Sequence, residues 1–516
     1  MKKIALAILS LVLAMTMLVG CGSQNSPSGD DAEPTGGDYK ETVVFVPEYA
    51  FQTTETMTTG SSTSMSVYYL VYNNLVEMDT ASNELVPALA ESWEVISPTE
   101  YLFHLRKDVK FHDGSDFTAA DIEFTFMRAL EQPTAAAKIT TLDHVEIVDE
   151  YTVKFILNAP DADLLYRLPD GRLSVLSKTA FDNMSAEEAN KIGTGPYKYV
   201  EVVMGDHVTV TRNDEYWGGP AKTKNIIFQE LPEKSARLIA LQSGDVDIIS
   251  GPAATDRHYI EEDSNLNYVS YPGANLRYFG FNATKKPFDD VRVRQAIAYG
   301  INRQEYIDVA YNGDAVEVNN MMNPINEFYA EVEGYSYDPE KAKSLLAEAG
   351  YGEGDIVINF TGKQEDADVS FGTIFQSQMK AIGITVNVNL VETAAFNAMI
   401  VPNSGEDWQV KVDGWGGYIT GPDNAFRFLY YSTNSGNSAA LNDPDVDAML
   451  DKGAATPDKE TRVGIYKDLQ EKVLDLATCV PVCTPVTDYA SNVNVEGMVP
   501  PFGLMTFLRD VAVVNK

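Results

Sequence analysis

Residues 356–391 read IVINFTGKQEDADVSFGTIFQSQMKAIGITVNVNLV. Ile356–Phe360 and Thr385–Val391 are rich in β-branched and aromatic residues, which favours strands, and Phe371–Ile382 has the apolar spacing of a helix. A strand, a helix and a second strand in this order form a βαβ unit, in which the two strands run parallel in one sheet. The stretch therefore predicts an α/β fold with a partly parallel sheet.

The sequence around this unit has the same mixed pattern. Asp338-Pro339 predicts a helix start and Gly350 its end, because an aspartate cap, a proline in the first turn and a glycine after the last turn suit those places. Elsewhere the same signals predict strands at 42–46, 101–106, 109–112, 246–249 and 278–282, and helices at 65–75, 118–130, 236–243 and 291–299.

Recognisable catalytic, phosphate-binding and metal-binding motifs are absent from the sequence. His112, Asp113 and Asp116 could form a catalytic group, but a turn followed by a helix cap explains them more simply. The acidic run 442–447 lacks the glycine and glutamate of a calcium loop and fits a capped helix start better. We therefore expect no enzyme, no metal site and no cofactor, with a surface hydrolase as a remote alternative.

The composition predicts a large, globular and strongly acidic protein. A chain of 516 residues is too long for one core, so we expect two or three domains. The 39 basic and 75 acidic residues give a formal net charge of −36 without a basic patch, so nucleic acid is not an expected partner. A solvated acidic surface is the main interpretation of this charge, and a preference for cationic ligands is the alternative.

The N-terminal residues predict export and lipid attachment. A short basic start precedes the apolar run Ile4–Val19, which is the layout of a secretory signal peptide at residues 1–20 and is shorter than the roughly 20 residues of a membrane span. Residues 18–21 read Leu-Val-Gly-Cys, which resembles the bacterial lipobox and implies cleavage before Cys21 and a diacylglycerol on its sulfur. The polar residues 21–38 are expected to form a flexible tether.

Cys479 and Cys483 lie in an alternating apolar segment that contains Pro481, so a strand is more favourable there than a helix. Residues four apart on a strand are about 13 Å apart, whereas a disulfide requires Cα atoms within about 7 Å. We therefore expect two buried thiols, unless the chain turns at Pro481.

Eight short segments are spread over nearly the whole mature chain, and they lie at 85–93 (LVPALAESW), 101–106 (YLFHLR), 109–121 (VKFHDGSDFTAAD), 193–197 (GTGPY), 212–217 (RNDEYW), 281–297 (FNATKKPFDDVRVRQAI), 337–342 (YDPEKA) and 414–418 (GWGGY). Each segment alone is a weak signal. In this order they resemble the family 5 extracellular solute-binding proteins, the peptide/nickel/opine-binding lipoproteins of ABC transporters.

The resemblance implies an α/β, two-lobed fold like that of periplasmic binding proteins of type II, cluster C, with an extra domain inserted in the first lobe. It divides the chain into a first lobe at 39–72, 190–280 and 490–516, an inserted domain at 73–189 and a second lobe at 281–489. A strand at 278–282 and a return near 484–489 would then be the hinge crossings between the lobes.

The resemblance also implies a ligand site around the segment 414–418. In peptide-binding members this segment reads G-W-x-x-D, in which the tryptophan packs on the ligand and the aspartate pairs with its free amino group. Here Trp415 is present, but Tyr418 occupies the aspartate position and supplies no counter-charge. The arginine that holds the ligand carboxylate in dipeptide binders has no counterpart, and Lys363 is a possible substitute.

Arg277 is a candidate for a new anchor, because it directly precedes the predicted crossing strand where the family lines its cleft. The alternatives are that Arg277 is a surface charge and that Trp415 is half-buried core packing. Alignment to the family adds further candidates for ligand contact, and they are Asn275, Asp423, Ser61 and Ser62.

The function implied is that of a monomeric substrate-binding component of an ABC importer. It would be held on the outer face of the cytoplasmic membrane by the lipid on Cys21, in a cell of the Gram-positive type, and would deliver its solute to permease subunits and their ATPases. The first hypothesis for the solute is an oligopeptide or a peptide-like compound, and the second is a metal chelate, an opine or a sugar. A role as a co-sensor for a membrane receptor is a further alternative.

Overall fold

The strand–helix–strand unit at residues 356–391 is confirmed in a computed structural model of the chain, which describes residues 38–79, 82, 84–400, 408–416, 421–501 and 505–515. The two strands of the unit pair in parallel, with Val357 opposite Thr385 and Lys363 opposite Val391. The predictions for the signal peptide, for the lipid on Cys21 and for Tyr418 lie outside the described residues.

The strands of the described residues are, in chain order, β1 (Thr42–Val46), β2 (Val76–Met78), β3 (Leu85–Pro87), β4 (Ala90–Ser97), β5 (Glu100–Leu105), β6 (Leu142–Asp149), β7 (Thr152–Leu157), β8 (Tyr197–Val203), β9 (His207–Arg212), β10 (Asn225–Gln229), β11 (Ile248–Ser250), β12 (Leu266–Tyr271), β13 (Leu276–Phe281), β14 (Ala315–Glu317), β15 (Val357–Lys363), β16 (Thr385–Val391), β17 (Val410–Trp415), β18 (Cys479–Pro485), β19 (Thr487–Asn492), β20 (Val495–Glu496) and β21 (Ala512–Val513).

The α-helices of the same residues are α1 (Ser62–Val71), α2 (Ala119–Glu131), α3 (Pro133–Ala136), α4 (Leu164–Arg167), α5 (Lys178–Asn183), α6 (Ala186–Ala189), α7 (Lys234–Ser243), α8 (Arg257–Glu262), α9 (Val291–Tyr299), α10 (Arg303–Ala310), α11 (Pro339–Glu348), α12 (Asp366–Ala381), α13 (Thr393–Met399), α14 (Pro422–Tyr430), α15 (Pro444–Ala454) and α16 (Lys459–Leu476).

Three larger sheets organise these elements. A seven-stranded sheet has the order β12-β19-β11-β1-β10-β9-β8, a six-stranded sheet has the order β14-β18-β13-β17-β15-β16, and a four-stranded antiparallel sheet has the order β4-β5-β7-β6. One hydrophobic core joins the seven-stranded and four-stranded sheets, since it contains Phe45 of β1 together with Phe103 and Phe155 of β5 and β7. Two further cores pack on the two faces of the six-stranded sheet, around Phe279 and Tyr278.

The chain passes between the two large sheets at residues 272–275 and again at Val486. The strand predicted at 278–282 is observed as β13, and it lies wholly within the six-stranded sheet, where it pairs with β17 and β18. The predicted first hinge crossing at this strand is therefore wrong, because the link precedes β13. The return predicted near 484–489 agrees with the observed passage from β18 to β19.

Most predicted helix boundaries are confirmed by their caps. The Thr118–Asp121 capping box opens α2, Gly244 ends α7 with a φ of 80°, and the side chains of Asp338 and Asp443 cap α11 and α15. The helix predicted at 65–75 instead spans Ser62–Val71, because the Ser61 hydroxyl caps it one turn earlier.

The residues around Asp113 form the predicted turn. The carboxylate of Asp113 accepts from the amide and the hydroxyl of Ser115, at 3.0 and 2.7 Å, and Gly114 has a φ of 88°. The strand predicted at 109–112 is wrong, since this segment makes only an isolated bridge between Lys110 and Asp116 beside the turn.

Cys479 and Cys483 are the two buried thiols expected from their spacing. Both lie on β18 and neither forms a disulfide. Burial raises the pKa of the Cys479 thiol to about 11 and that of the Cys483 thiol to about 12, so both are protonated at neutral pH.

His112 joins two of the sequence motifs. Its Nδ1 accepts from the Gly193 amide at 3.2 Å, and its Nε2 donates to the Gly195 carbonyl at 3.0 Å. A Cβ atom on Gly193 would lie 2.0 Å from the carbonyl oxygen of Val71, so this position requires glycine. Burial lowers the pKa of His112 from 6.5 to about 4, which keeps the ring neutral.

The stability of the protein should therefore fall in acid because of His112. The unfolded state takes up a proton below about pH 6.5 while the folded state does so only near pH 4, so the contribution is complete above pH 6.5 and is lost as the pH falls toward 4. The shift corresponds to about 3 kcal/mol. Urea unfolding between pH 4 and 7 should give a flatter profile for His112→Gln than for the wild type. His258→Gln, on an exposed ring, is the control and should keep the wild-type slope; equal slopes for all three proteins would contradict the prediction.

Candidate functional site

The carboxyl ends of the parallel strands in the two large sheets meet at the passage between them. In the seven-stranded sheet, β1 is parallel to β10 and β11, and β12 has the same direction as β11 because both are antiparallel to β19. The chain leaves this sheet at the carboxyl end of β12 and enters the other at the start of β13, which lies beside the carboxyl end of the parallel strands β15 and β17. Ligands of open α/β sheets bind at such carboxyl ends.

Three of the predicted site residues lie at this edge of the six-stranded sheet. Leu276 is opposite Trp415 and Arg277 is opposite Gly414 in the β13–β17 pair. The exposed side chain of Asn275 covers Gly414, since a Cβ atom built on Gly414 would lie 2.7 Å from the Asn275 amide oxygen. The structure thus places Asn275, Arg277 and Trp415 at one edge, but the Arg277 side chain packs on the Phe371 face of the sheet and Trp415 packs on the opposite face, against Phe428.

The indole of Trp415 is half-buried and stacks on Phe428 of α14. The ring centroids are 4.3 Å apart and the ring planes differ by 5°. The stack holds the plane of the indole, while part of the side chain stays accessible. The arrangement is compatible both with core packing and with a platform for a ligand, so the ligand role of Trp415 stays a prediction.

Arg277 is buried, and the alternative that it is a surface charge is wrong. Its guanidinium pairs with the Asp368 carboxylate and lies 5.5 Å from the ring centre of Phe371, while its Nε has no hydrogen-bond partner. Burial opposes the charge, but the Tyr311 hydroxyl and the Asp368 carboxylate hold the pKa of Arg277 above its ordinary value. The guanidinium is already neutralised within the protein, and its role as a ligand anchor stays a prediction.

A second charge cluster, which the sequence did not indicate, lies on the same face as Trp415. Lys411 is buried and donates to the Asp413 carboxylate at 2.9 Å, and Lys363 of the neighbouring strand lies 3.6 Å from the same carboxylate. Burial acts against the charge of Asp413, but Lys411 and Lys363 hold its pKa below the ordinary range. The sequence signal that could have identified this cluster is the two-residue alternation of β17, which puts Lys411, Asp413 and Trp415 on one face.

Ser61 and Ser62 lie at the start of α1, which packs on the core of the seven-stranded sheet. The Ser61 hydroxyl donates to the Ala50 carbonyl at 3.1 Å, and Ser62 lines a small pocket with Tyr49. Burial raises the pKa of Tyr49, and the negative charges of Glu48 and Glu365 raise it further. Tyr49 follows β1 of the seven-stranded sheet and Glu365 follows β15 of the six-stranded sheet, so the two sheets approach each other here. Tyr49 and Glu365 each follow the carboxyl end of a parallel strand, and this was the signal that could have identified them.

Asp423 lies apart from these residues, at the start of α14. Its carboxylate accepts from Arg427 at 2.6 and 3.1 Å and from the Tyr466 hydroxyl at 2.9 Å. It is buried among protein partners, and its predicted contact with a ligand has no further support from this geometry.

Comparison with known proteins identifies the family. The model of the "Bacterial extracellular solute-binding proteins, family 5 Middle" matches residues 84–437. The chain belongs to this family. The predicted fold class, an α/β protein with two lobes like those of periplasmic binding proteins, is confirmed.

Three similar proteins illustrate the range of family 5. Heme-binding protein A of Haemophilus influenzae is 32% identical over 472 residues, which are 85% of this chain and 86% of the relative. The dipeptide-binding protein of Escherichia coli K12 is 29% identical over 469 residues, which are 84% of this chain and 87% of the relative. The structure of HbpA2 from Haemophilus parasuis has a TM-score of 0.83 and 26% identity, and covers 92% of this chain and 99% of that chain.

Two further observations concern the described residues as a whole. They include no helix that is both long and apolar enough to cross a membrane. They also include no group of three His, Cys, Asp or Glu side chains arranged to hold a metal ion.

Proposed function

We propose that this family 5 protein is the lipid-anchored substrate-binding component of an ABC importer, and that it captures oligopeptides or peptide-like solutes. The observation that carries the proposal is the position of Trp415, which is half-buried and stacked on Phe428 at the carboxyl edge of the six-stranded sheet, where the chain enters from β12. The 29% identity to the E. coli protein named for dipeptide binding supports a peptide ligand. Closure of the lobes excludes water and presents the loaded form to permease subunits and their ATPases.

The proposal includes a cellular location and a domain division. The signal peptide at 1–20 directs export, and the lipid on Cys21 with the tether at 21–38 holds the protein on the outer face of the cytoplasmic membrane. With its boundaries moved to the observed links, the first lobe is proposed at 39–72, 190–271 and 487–516 with the insertion at 73–189, and the second lobe is proposed at 276–485. The unit is proposed to act as a monomer.

The charges near Trp415 suggest how a peptide would be held. Asp413 lies two residues before Trp415 on the same face of β17, but Lys411 and Lys363 already neutralise it. Tyr418 carries no charge at neutral pH. A free amino group beside Trp415 would therefore find the Asp413 carboxylate already paired, so stacking on Trp415 and backbone hydrogen bonds should supply most of the affinity.

A metal chelate is the second candidate for the solute. The observation in its favour is the 32% identity to the relative named heme-binding protein A. A flat aromatic chelate would also suit the indole platform of Trp415, whose plane is held by Phe428.

Mass spectrometry of the solute released from purified protein should identify a peptide. Thermal denaturation with and without that peptide then tests whether it binds the folded protein. A bound peptide at 100 times its dissociation constant should stabilise the folded state by about 2.7 kcal/mol. Matched peptides with a free and an acetylated amino group should bind within about tenfold of each other, because the Asp413 carboxylate near Trp415 is already paired with Lys411 and Lys363. A shift with hemin and none with any peptide pool would replace the first candidate by the second.

A further inference from the structure

A cavity at the end of α1 lies away from the candidate site. Its volume is about 270 Å³, and its lining includes the β2–β3 ribbon and the C-terminal stretches 497–499 and 507–510. Every described lining residue precedes position 217 or follows position 496, whereas the six-stranded sheet is built from residues 276–485. The cavity is therefore formed without the six-stranded sheet and is separate from the edge at Trp415.

Three aromatic rings line this cavity, and their neighbours hold them in place. The rings of Tyr69 and Phe507 are in contact, with their centroids 5.0 Å apart. The Tyr69 hydroxyl donates to the Pro169 carbonyl at 2.6 Å, and the Tyr216 hydroxyl accepts from the Asn73 amide at 3.1 Å. Because the face of an aromatic ring attracts cations as well as apolar groups, these walls suit a ligand that has both.

Glu77 of β2 adds a carboxylate to the lining of the cavity. Its Oε1 accepts from the Asn73 amide at 2.9 Å, and within the described part of the chain its Oε2 has no hydrogen-bond partner and neither oxygen has a Lys or Arg partner. Burial raises the pKa of Glu77, against the opposing effects of the Asn73 amide and of the more distant Arg509 and Arg106. The carboxylate can therefore still pair with a cation.

Asn73 fixes the position of this carboxylate. Its side-chain nitrogen donates to both Glu77 and Tyr216, and its side-chain oxygen accepts from the Thr194 hydroxyl at 3.1 Å and from the Trp217 indole at 3.2 Å. Asn73 is also buried. A buried amide with all these bonds has one orientation, so Glu77 is held in place before any ligand arrives.

The charges around the cavity favour a positively charged ligand. Three carboxylates line it, those of Glu77, Asp79 and Asp510. Arg509 is the one basic side chain among the described lining residues, and its guanidinium lies 5.1 Å from the ring centre of Tyr216. The local excess of acidic groups, in a chain with a formal net charge of −36, draws cations toward the cavity.

We propose that this cavity is a second binding site and that it takes a small organic ammonium ion. The ammonium group pairs with Glu77, and the apolar part packs on the rings of Tyr69 and Phe507. An apolar cavity of about 150 Å³ can hold benzene, so about 270 Å³ has room for a ring of that size with an aminomethyl group. The site is independent of any solute that packs on Trp415.

Benzylamine and benzyl alcohol are matched probes, since they share one ring and only the amine is charged at neutral pH. Isothermal titration into the full mature chain should show benzylamine binding at least about tenfold more tightly, because hydrogen bonds between charged groups are the stronger ones. Glu77→Gln keeps an acceptor for Asn73 but removes the charge. It should weaken benzylamine binding about tenfold and leave benzyl alcohol binding unchanged.

Three further variants make the result specific. Glu201→Gln removes an exposed carboxylate of β8 and controls for net charge, so it should bind both probes as the wild type does. Trp415→Ala should also keep its affinity for benzylamine. Val86 is opposite Glu77 in the β2–β3 pair and lines the same cavity, so Val86→Phe should fill the space and abolish binding of both probes. Val86→Phe decides the matter if Glu77→Gln does not fold.

No binding of benzylamine, or equal affinities of the two probes for the wild type, would overturn the second site. So would a wild-type affinity for benzylamine in Glu77→Gln or Val86→Phe, or an equal loss in Glu201→Gln or Trp415→Ala. A loss confined to Glu77→Gln and Val86→Phe would support the site, even if no peptide or chelate binds the protein, because the titration needs neither.

Discussion

Replacing Trp415 by alanine is expected to raise the dissociation constant of the bound solute by about 100-fold, which corresponds to about 2.7 kcal/mol. The indole stacks on Phe428 at 4.3 Å and lies at the carboxyl edge of the six-stranded sheet, next to the residue pair Asn275 and Gly414. Removing it deletes the aromatic surface available to the solute, while the backbone pairing of β17 is unaffected. Isothermal titration with the solute identified by mass spectrometry measures the change, and circular dichroism checks the fold.

Two variants make this result specific to the site. Trp415→Phe keeps a ring on Phe428 and should weaken binding by less than about tenfold. Trp217→Ala removes another half-buried indole, which bonds to Asn73 and contacts Arg106 away from the passage, and it should bind as the wild type does. An unchanged dissociation constant in a folded Trp415→Ala protein would mean that the cleft lies elsewhere.

Breaking the Arg277–Asp368 pair should produce the largest loss of stability among the single substitutions considered. Asp368 is fully buried and the Arg277 side chain is 8% exposed, so either partner alone would be a buried charge without compensation. Asp368→Asn or Arg277→Met should each lower the free energy of unfolding by about 3 kcal/mol or more. Urea denaturation at neutral pH measures this loss.

The double variant Arg277→Met, Asp368→Asn separates the charge penalty from packing. It should recover much of the stability lost by each single variant, because no unpaired charge remains. Binding by the double variant then tests Arg277 as an anchor: a weakened affinity in a stable protein supports the role, and an intact affinity assigns Arg277 to structure. Single variants that lose less than about 1 kcal/mol would show that the pair behaves as a solvated surface pair.

Predictions that rest on a few adjacent residues agree best with the structure. The parallel pairing of 356–391 follows from two strand patterns around one helix, and the caps at Thr118, Asp338 and Asp443 follow from side chains that bond to amides two or three residues ahead. The strand predicted at 109–112 is wrong because the Asp113-Gly114 turn bends the segment too tightly for a ladder. Alternation in a short segment does not reveal whether a partner strand is present.

The candidate site likewise has one part that the sequence predicted and one part that it did not. The edge of the sheet was predictable, since the family motif around Trp415 and the position of Arg277 both indicate it, and the structure places these residues at the ends of two paired strands, with their side chains on opposite faces. The cluster of Lys363, Lys411 and Asp413 was not predicted, because its members lie on two strands whose register is set by the sheet. The ordinary spacing rules do not specify such cross-strand neighbours.

The βαβ unit at 356–391, the helix caps and the family itself were determined by the sequence alone, because each depends on short-range bonds or on motifs in a recognisable order. Only the tertiary structure decided the partners of the buried charges. Arg277 meets Asp368 across 91 residues, and Asp163 meets Arg462 across 299 residues. These pairs form where separate sheets and cores pack together, and a buried charge takes the partner that the packing brings to it. Local periodicity carries no information on that choice, so the sequence alone could not reveal the partners of Arg277 and Asp163.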